Sequence, residues 1–479
     1  MAIVPSLIDG SGGEADLMAM AQCTNTRANV RFPRGVAGAI LTSLLAMHAA
    51  FAADAPPAGG RAADLDALAT AYVMKSRAFS EAGRRAALEY IDRVKPAAPG
   101  LSNEQYLLAL LRITGLSGNA HDSLHTGDGW RPSTRLPLHF IWFPDELVIA
   151  RAAPGQSDLV GATVLQVDGL SPTDLLGRLR PYSGGPDEYL RTHMLWLLEN
   201  GGMLHAMGAA RSPHGLVLDL VLRDGTRTQR TVSFVPRADV PWGLMATKLW
   251  SSERSHEEIQ AGWQSHAWTA GAPFHLQDPG NFFRLEHLPD IDALYVQFRA
   301  NSTADAMGQE IGPFVKRVQD EIEQRAPQNL VLDLRFDVGG DIDQTRQLIR
   351  ELAARTRGRI YVMTGSYTFS AGIVAAAAML HDGGERVTLV GEPVGDRLRF
   401  WSEGADACLP HSKYCVRVTD GLWDITQGCS GTTGCYGDAY DARVPALTPT
   451  LVAPLTARAW REGRDPGMEA VRADLRALE

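Results

Sequence analysis

The chain has no excess of positive charge: 46 Lys and Arg stand against 55 Asp and Glu, a formal net charge of −9 with a pI near 5.8. A general nucleic-acid binder needs a basic face to displace phosphate counterions, so that class is excluded. Histidine and carboxylate clusters with metal-ligand spacing are missing, as is a glycine loop that would cradle phosphate. Neither a metal nor an organic cofactor is therefore expected. Cysteine is scarce, 5 residues in 479, and Cys23 lies far from the rest. Cys408, Cys415, Cys429 and Cys435 crowd into one short stretch. Their gaps are too long for zinc ligands spaced in pairs, so two disulfides in an oxidising compartment are expected, with a zinc site involving His411 as the alternative. Connectivity stays open, 408–415 with 429–435 being the simplest pairing.

Long apolar runs are lacking too. The run from Gly35 to Ala50 is broken by Thr42 and His48, and at roughly 16 residues it is short for a membrane span. Arg27, Arg31 and Arg34 precede it, and Ala50-Phe51-Ala52 places small residues around a cleavage point before Ala53. This predicts a secretory signal peptide with a polar extension over 1–52, the true start being Met18 or Met20, and no stable span after cleavage. A periplasmic or secreted location follows. With 45% hydrophobic residues the chain is globular, and its length suits two or three domains.

What is present centres on YVMTGSYTFSAGIVAAAAML, Tyr361 to Leu380. Ile360 to Met363 predicts a buried strand, a Gly/Ser/Thr turn follows, and the small apolar residues after Phe369 predict a packed helix with Ser370 at its N-terminus. Unpaired N–H groups and the helix dipole favour negative charge there, so an oxyanion beside Ser370 would be stabilised. Serine is also a preferred N-cap, and local pattern alone does not separate a cap from a nucleophile. Upstream, NLVLDLRFDVGGD (Asn329 to Asp341) predicts a strand ending in a glycine turn; downstream, RVTLVGEPVGD (Arg386 to Asp396) predicts another. Successive strands ending in Gly-rich loops suggest one shared site edge.

Elsewhere the pattern is coarser. After a Pro/Gly/Ala linker, 53–63, the segment 64–135 is helical, with Tyr106, Leu107, Leu110, Leu111 and Ile113 on one side behind a start at Ser102-Asn103-Glu104. Residues 136–236 alternate as strands, interrupted by a helical hairpin from Pro186 to Gly208. Residues 237–284 carry Trp242, Trp250, Trp263 and Trp268 without a period and are expected to cover the core. From 285 to 479, the strand at Ala293 to Asn301 and an amphipathic helix marked by Met307, Ile311, Phe314, Val315, Val318 and Ile322 begin a parallel α/β core.

The order DLRxxxGG, TFSA, VGEP resembles the C-terminal processing (tail-specific) serine peptidase family, which includes the tricorn core peptidase. The likeness runs more weakly from about residue 60 to the C-terminus. It implies a ClpP/crotonase-like catalytic core and, around Leu159 to Gly169, a PDZ-like domain that would bind peptide by adding it as a strand. It also implies a serine endopeptidase acting on protein or peptide substrates, with Ser370 as nucleophile and the N–H groups of Ala371 and of Gly339 or Gly340 as oxyanion donors. Asp337 stands where the family's turn has Asn. GNAHDSL resembles the family's G-D-G-H-T-x-L and puts His121 on its histidine, with His125 as fallback; Asn119, Ala120 and Asp122 depart from it. The lysine base of bacterial members is absent, because Arg397 and Arg399 are the nearby cations and a guanidinium does not deprotonate. A histidine base, as in tricorn-like members, is therefore expected: His121, oriented by Glu403 ahead of Glu392. The competing expectation is an inactive peptide- or ligand-binding protein on the same scaffold.

Overall fold

The computed structural model describes residues 58–478, apart from 128, 242–245, 306 and 441. The expected signal peptide and the start of the linker lie outside these residues. Helix begins at Arg61, inside the stretch expected as linker.

Residues 283–478 build the layer that matters for the site. Strands β1 (Phe283–Leu288), β2 (Ala293–Phe298), β3 (Asn329–Asp333), β4 (Ile360–Thr364), β5 (Val387–Gly391) and β6 (Leu451–Val452) lie in that order in one sheet. β1 and β2 are antiparallel and the remaining pairs parallel. Between them run α1 (Ile311–Arg325), α2 (Arg346–Arg355) and α3 (Ala371–Gly383).

Side chains alternate across each strand, so the apolar runs feed two cores. Leu294, Val296, Leu330, Leu332, Ile360 and Val362 pack with α1, α2 and α3. Tyr295, Val331, Tyr361, Met363 and Val390 face the other way, onto Met468 and Val471 of α4 (Pro466–Leu478). α3 is apolar all round because it is buried on every side, from Ala371 to Met379. One expectation is corrected here: Met307 lies before α1 and is 68% exposed, whereas Ile311, Phe314, Val318 and Ile322 are buried. The strand β1 begins two residues before the expected start of the core at 285.

The N-terminal helices end with Asn103–Gly115, which a capping box between Ser102 and Gln105 starts and which buries Tyr106, Leu107, Leu110, Leu111 and Ile113. An antiparallel sheet follows, built from Leu138–Trp142, Leu147–Ala152, Thr163–Val167, Gly215–Val221 and Arg227–Ser233. Its long connection folds as short helices, Asp187–His193, Leu195–Leu198 and Gly201–Ala206. Trp250 and Trp263 are buried, consistent with a covering role. No helix among the described residues is long and apolar enough to cross a membrane.

The cysteines form Cys408–Cys415 and Cys429–Cys435, which leaves their sulfurs unavailable to zinc. The first joins the strands Ala405–Cys408 and Cys415–Val418 of a hairpin. Leu124 and His125 pair with Cys415–Val418, the middle strand of the three-stranded sheet so formed, which ties the segment after His121 to the cysteine hairpin.

Candidate active site

Loops leaving the C-terminal ends of β3, β4 and β5 meet at one edge, the usual place for a site in a parallel sheet. Main-chain and hydroxyl bonds lace them together. Phe369 N donates to Asp337 O at 2.9 Å, Gly395 N to Thr368 O at 2.8 Å, Thr368 Oγ1 to Leu334 O at 2.7 Å and Thr364 Oγ1 to Glu392 O at 2.7 Å. Behind them, Arg335 is buried between Asp333 and Asp465, bonding Asp333 Oδ2 at 2.6 Å and Asp465 Oδ1 at 2.7 Å. Those carboxylates hold the guanidinium charged despite its burial, so the arginine of the DLR stretch pins the loop to α4.

Ser370 heads α3 with φ 51° and ψ −122°, a conformation outside the ordinary allowed regions for a residue with a Cβ. Such a backbone costs of order 1–3 kcal/mol and persists only where its surroundings impose it. The Ser370 side chain makes no capping bond to α3, so the plain N-cap alternative fails. It is 8% exposed, and its hydroxyl bonds to no other described residue. It lines a cavity of about 570 Å³ together with Gly340 and Ala371.

The glycine pair divides its work. Gly339, at φ 100°, packs so closely that an added Cβ would stand 2.5 Å from the Ser370 Cβ. Its N–H donates to Asp337 Oδ1 at 3.0 Å, so that donor is already engaged. Gly340, at φ 123°, turns the chain into the cavity wall, where a Cβ would strike Asn301 O at 2.3 Å. Of the glycines expected as oxyanion donors, Gly340 is therefore the one on the cavity, beside Ala371 at the first turn of α3. Asp337 also accepts from Asn301 Nδ2 at 2.9 and 3.0 Å, and burial pushes its carboxyl up to about 7 against the pull of those donors.

His121 arrives from far upstream in sequence. Its ring is sandwiched between Phe369, centroids 4.4 Å apart, and Phe400, 4.8 Å apart. Phe369 is the residue before Ser370, and Phe400 lies on the cavity wall. Nδ1 faces Asp396 Oδ2 at 3.5 Å, and both imidazole nitrogens are buried without a hydrogen-bond partner among the described residues. A buried imidazole in that state has unspent bonding capacity directed into its surroundings.

What places it is polar. Asn119 mimics a strand edge: its Nδ2 donates to Trp401 O at 2.9 Å and its Oδ1 accepts from Trp401 N at 3.1 Å. Asp122, buried, accepts from Tyr72 Oη at 2.8 Å, Ser76 Oγ at 3.0 Å, Asn119 Nδ2 at 2.9 Å and Thr419 Oγ1 at 2.5 Å. Arg397 donates to Gly118 O at 3.2 Å and Gly184 O at 2.9 Å. Asn119 and Asp122, two of the three residues that depart from the family stretch, thus help to hold the loop.

The other expected residues lie as follows. Glu403 lines the cavity, but its Oε1 accepts from Ser402 Oγ at 3.0 Å and Trp423 Nε1 at 3.3 Å, and the carboxylate facing His121 is Asp396. Glu392 accepts from Leu455 N at 2.7 Å and ties β5 to the segment after β6; burial raises its carboxyl to about 7. His125 faces Asp406 on the cysteine hairpin at 3.4 Å. Sequence reasoning missed Asp396, within the quoted GEPVGDRLRF, and His193, which stacks on Tyr189 at 4.3 Å and packs against Phe369 at 5.2 Å. Burial drives the His193 imidazole down to about 3, so it is neutral. Asp396 carried a signal, a carboxylate in the loop after β5; His193 carried none.

No family model and no curated protein matches the sequence. Solved structures do. Mature CPAF superposes with a TM-score of 0.54 over 88% of this chain and 97% of its own, at 13% identity. The complex of mature CPAF with lactacystin gives 0.55 over 98% of that chain, and a serine-to-alanine mutant of CPAF gives 0.57. The chain shares the fold of CPAF. At such identity the likeness is one of backbone, and the chemistry has to be read from the side chains of this chain.

Proposed function

We propose that this protein is a serine endopeptidase of the C-terminal processing type, with a ClpP/crotonase-like core and a PDZ-like domain at residues 136–236. Its substrates are proteins or peptides, and it acts in the periplasm or outside the cell, where its disulfides would persist. The observation that carries the reading is the strained, uncapped Ser370 at the head of a buried helix, on one cavity with Gly340 and Ala371.

Ser370 Oγ attacks the scissile carbonyl carbon while His121 takes the hydroxyl proton. The developing oxyanion is met by the N–H groups of Gly340 and Ala371, aided by the positive end of α3. His121 then gives its proton to the leaving amine, and water, deprotonated by the same ring, releases the acyl group. Asp396 fixes the ring tautomer through Nδ1 and stabilises the imidazolium, the part earlier expected of Glu403. Phe369 and Phe400 keep the ring plane in place. The open His121 nitrogens suit a geometry that tightens when substrate binds.

A fluorophosphonate probe tests this on the mature protein. Labelling is expected in the wild type, lost in Ser370→Ala and weakened in His121→Ala, in parallel with cleavage of an unfolded protein substrate. A wild type that neither labels nor cleaves would be the inactive binder.

A further inference from the structure

We infer that the cavity beside Ser370 is a subsite for a cationic side chain, arginine or lysine, next to the scissile bond of the polypeptide; this deepens the peptidase reading and rests on it. The cavity is graded. Its floor is apolar, with Phe400, Trp423, Ile342 and Val374 buried in it. Its mouth carries Asp341, Asp343 and Glu403, all exposed. A long aliphatic stem ending in a charge matches that grading, since Lys and Arg lay their methylenes on apolar surface and keep the head at a polar rim.

The rim charge is not neutralised from within. None of Asp341, Asp343 and Glu403 forms an ion pair among the described residues; their partners are neutral donors. Asp341 accepts from Asp343 N and Gln344 Nε2, and Glu403 from Ser402 and Trp423. Of the nearby cations, Arg399 pairs with Asp424 at 3.3 Å, and Arg346, over the Tyr440 ring at 4.8 Å and donating to Ala439 O, sets one positive charge beside the three carboxylates. That Arg346 contact also shows the Tyr440 ring accepting a guanidinium on a face. The Tyr440 hydroxyl is pushed up to about 12, by burial first and then by Asp343, Asp341 and Glu403, as expected where the potential is negative.

A second, independent feature points to a ligand at this spot. Ser370, 8% exposed and with no bond from its hydroxyl to other described residues, lies on the same wall. A volume of about 570 Å³ falls in the range of a ligand cleft and takes a whole side chain with its flanking main chain. An apolar or small substrate residue would fill the floor and leave three carboxylates facing it. A guanidinium would meet them with charge-assisted bonds and stack on the exposed ring of Tyr436.

The test uses internally quenched peptides of one sequence, varied at a single position through Arg, Lys, citrulline, Leu and Glu, the position being walked across the cleavage site. At one position kcat/KM for Arg is expected to exceed that for citrulline, its neutral isostere, by about tenfold or more, with Glu slowest. The Arg-to-citrulline ratio should fall towards one in Asp341→Asn/Asp343→Asn, whose exposed sites tolerate the change, and at high salt. Equal rates for Arg and citrulline at every position, or a preference for Leu, overturns the proposal while fluorophosphonate labelling leaves the peptidase reading standing. If labelling fails, binding to Ser370→Ala decides: a fluorescent Arg peptide held about tenfold tighter than its citrulline twin keeps the subsite, and equal affinity removes it.

Discussion

The turn that carries Ser370 and the loop that carries His121 solve the same problem by opposite means. Ser370 is held by its own neighbourhood: β4 feeds it, α3 follows it, and the glycine turn after β3 touches it at Gly339. His121 is held by partners distant in sequence, through Asn119 on Trp401, Asp122 on Thr419, and a strand added to the cysteine hairpin. The serine's position is written in backbone strain and packing, which tolerate little change. The histidine's position is written in polar bonds, each of which is separately removable.

That contrast can be broken experimentally, in descending order of effect. Ser370→Ala should lower kcat by about 10³-fold or more with an unchanged far-UV spectrum, because the proposed nucleophile is replaced and its helix is not. Gly339→Ala comes next: its Cβ meets Ser370 and its φ is left-handed, so a loss of about 10²-fold in kcat/KM is expected, with a drop in Tm. Asn119→Ala sharpens the other arm. It should cost roughly 1–3 kcal/mol in denaturant unfolding and about tenfold or more in kcat, with the labelling rate of Ser370 falling in proportion. Asp396→Asn should lower kcat by about tenfold or more and slow Ser370 labelling in step, the imidazole having lost the carboxylate that faces Nδ1; an unchanged kcat would assign the orienting role elsewhere.

The smallest effect belongs to Asp337. Its carboxyl is raised to about 7 in the fold against an ordinary 3.8, so the folded state binds the extra proton between those values. Stability contributed by the protonated form is full below about pH 4 and is lost as pH rises through about 7. Asp337→Asn should therefore flatten the fall in unfolding free energy between pH 5 and 8, by a few kcal/mol at most, as measured in urea at both pH values. Glu392, also raised by burial, acts with the same sign and would leave a residual slope in the variant.

How much was legible follows from the same contrast. The parallel strands, the helix after Ser370 and the glycine turn show in the sequence because each is a contiguous apolar run ended by Gly. The end of the run at Met307 misled, since an exposed methionine before a helix has the spacing of one inside it. Asn119 and Asp122 read as departures from a motif, yet they are the clamps, because a clamp is defined by what it meets and its partners Trp401 and Thr419 lie far along the chain. The sequence ranked Glu403 ahead of Glu392 and passed over Asp396, the carboxylate that faces His121. All lie in or near one loop, and the direction of each side chain depends on how that loop folds back.

Order along the chain, then, specified the α/β layer and the serine at a helix head, since local periodicity and turn chemistry suffice for those. The tertiary structure alone decided which glycine faces the cavity, which carboxylate faces the imidazole, and that carboxylates and aromatic rings share the wall beside Ser370. Such facts are distances between side chains far apart in sequence, and only the packing of the layers sets them.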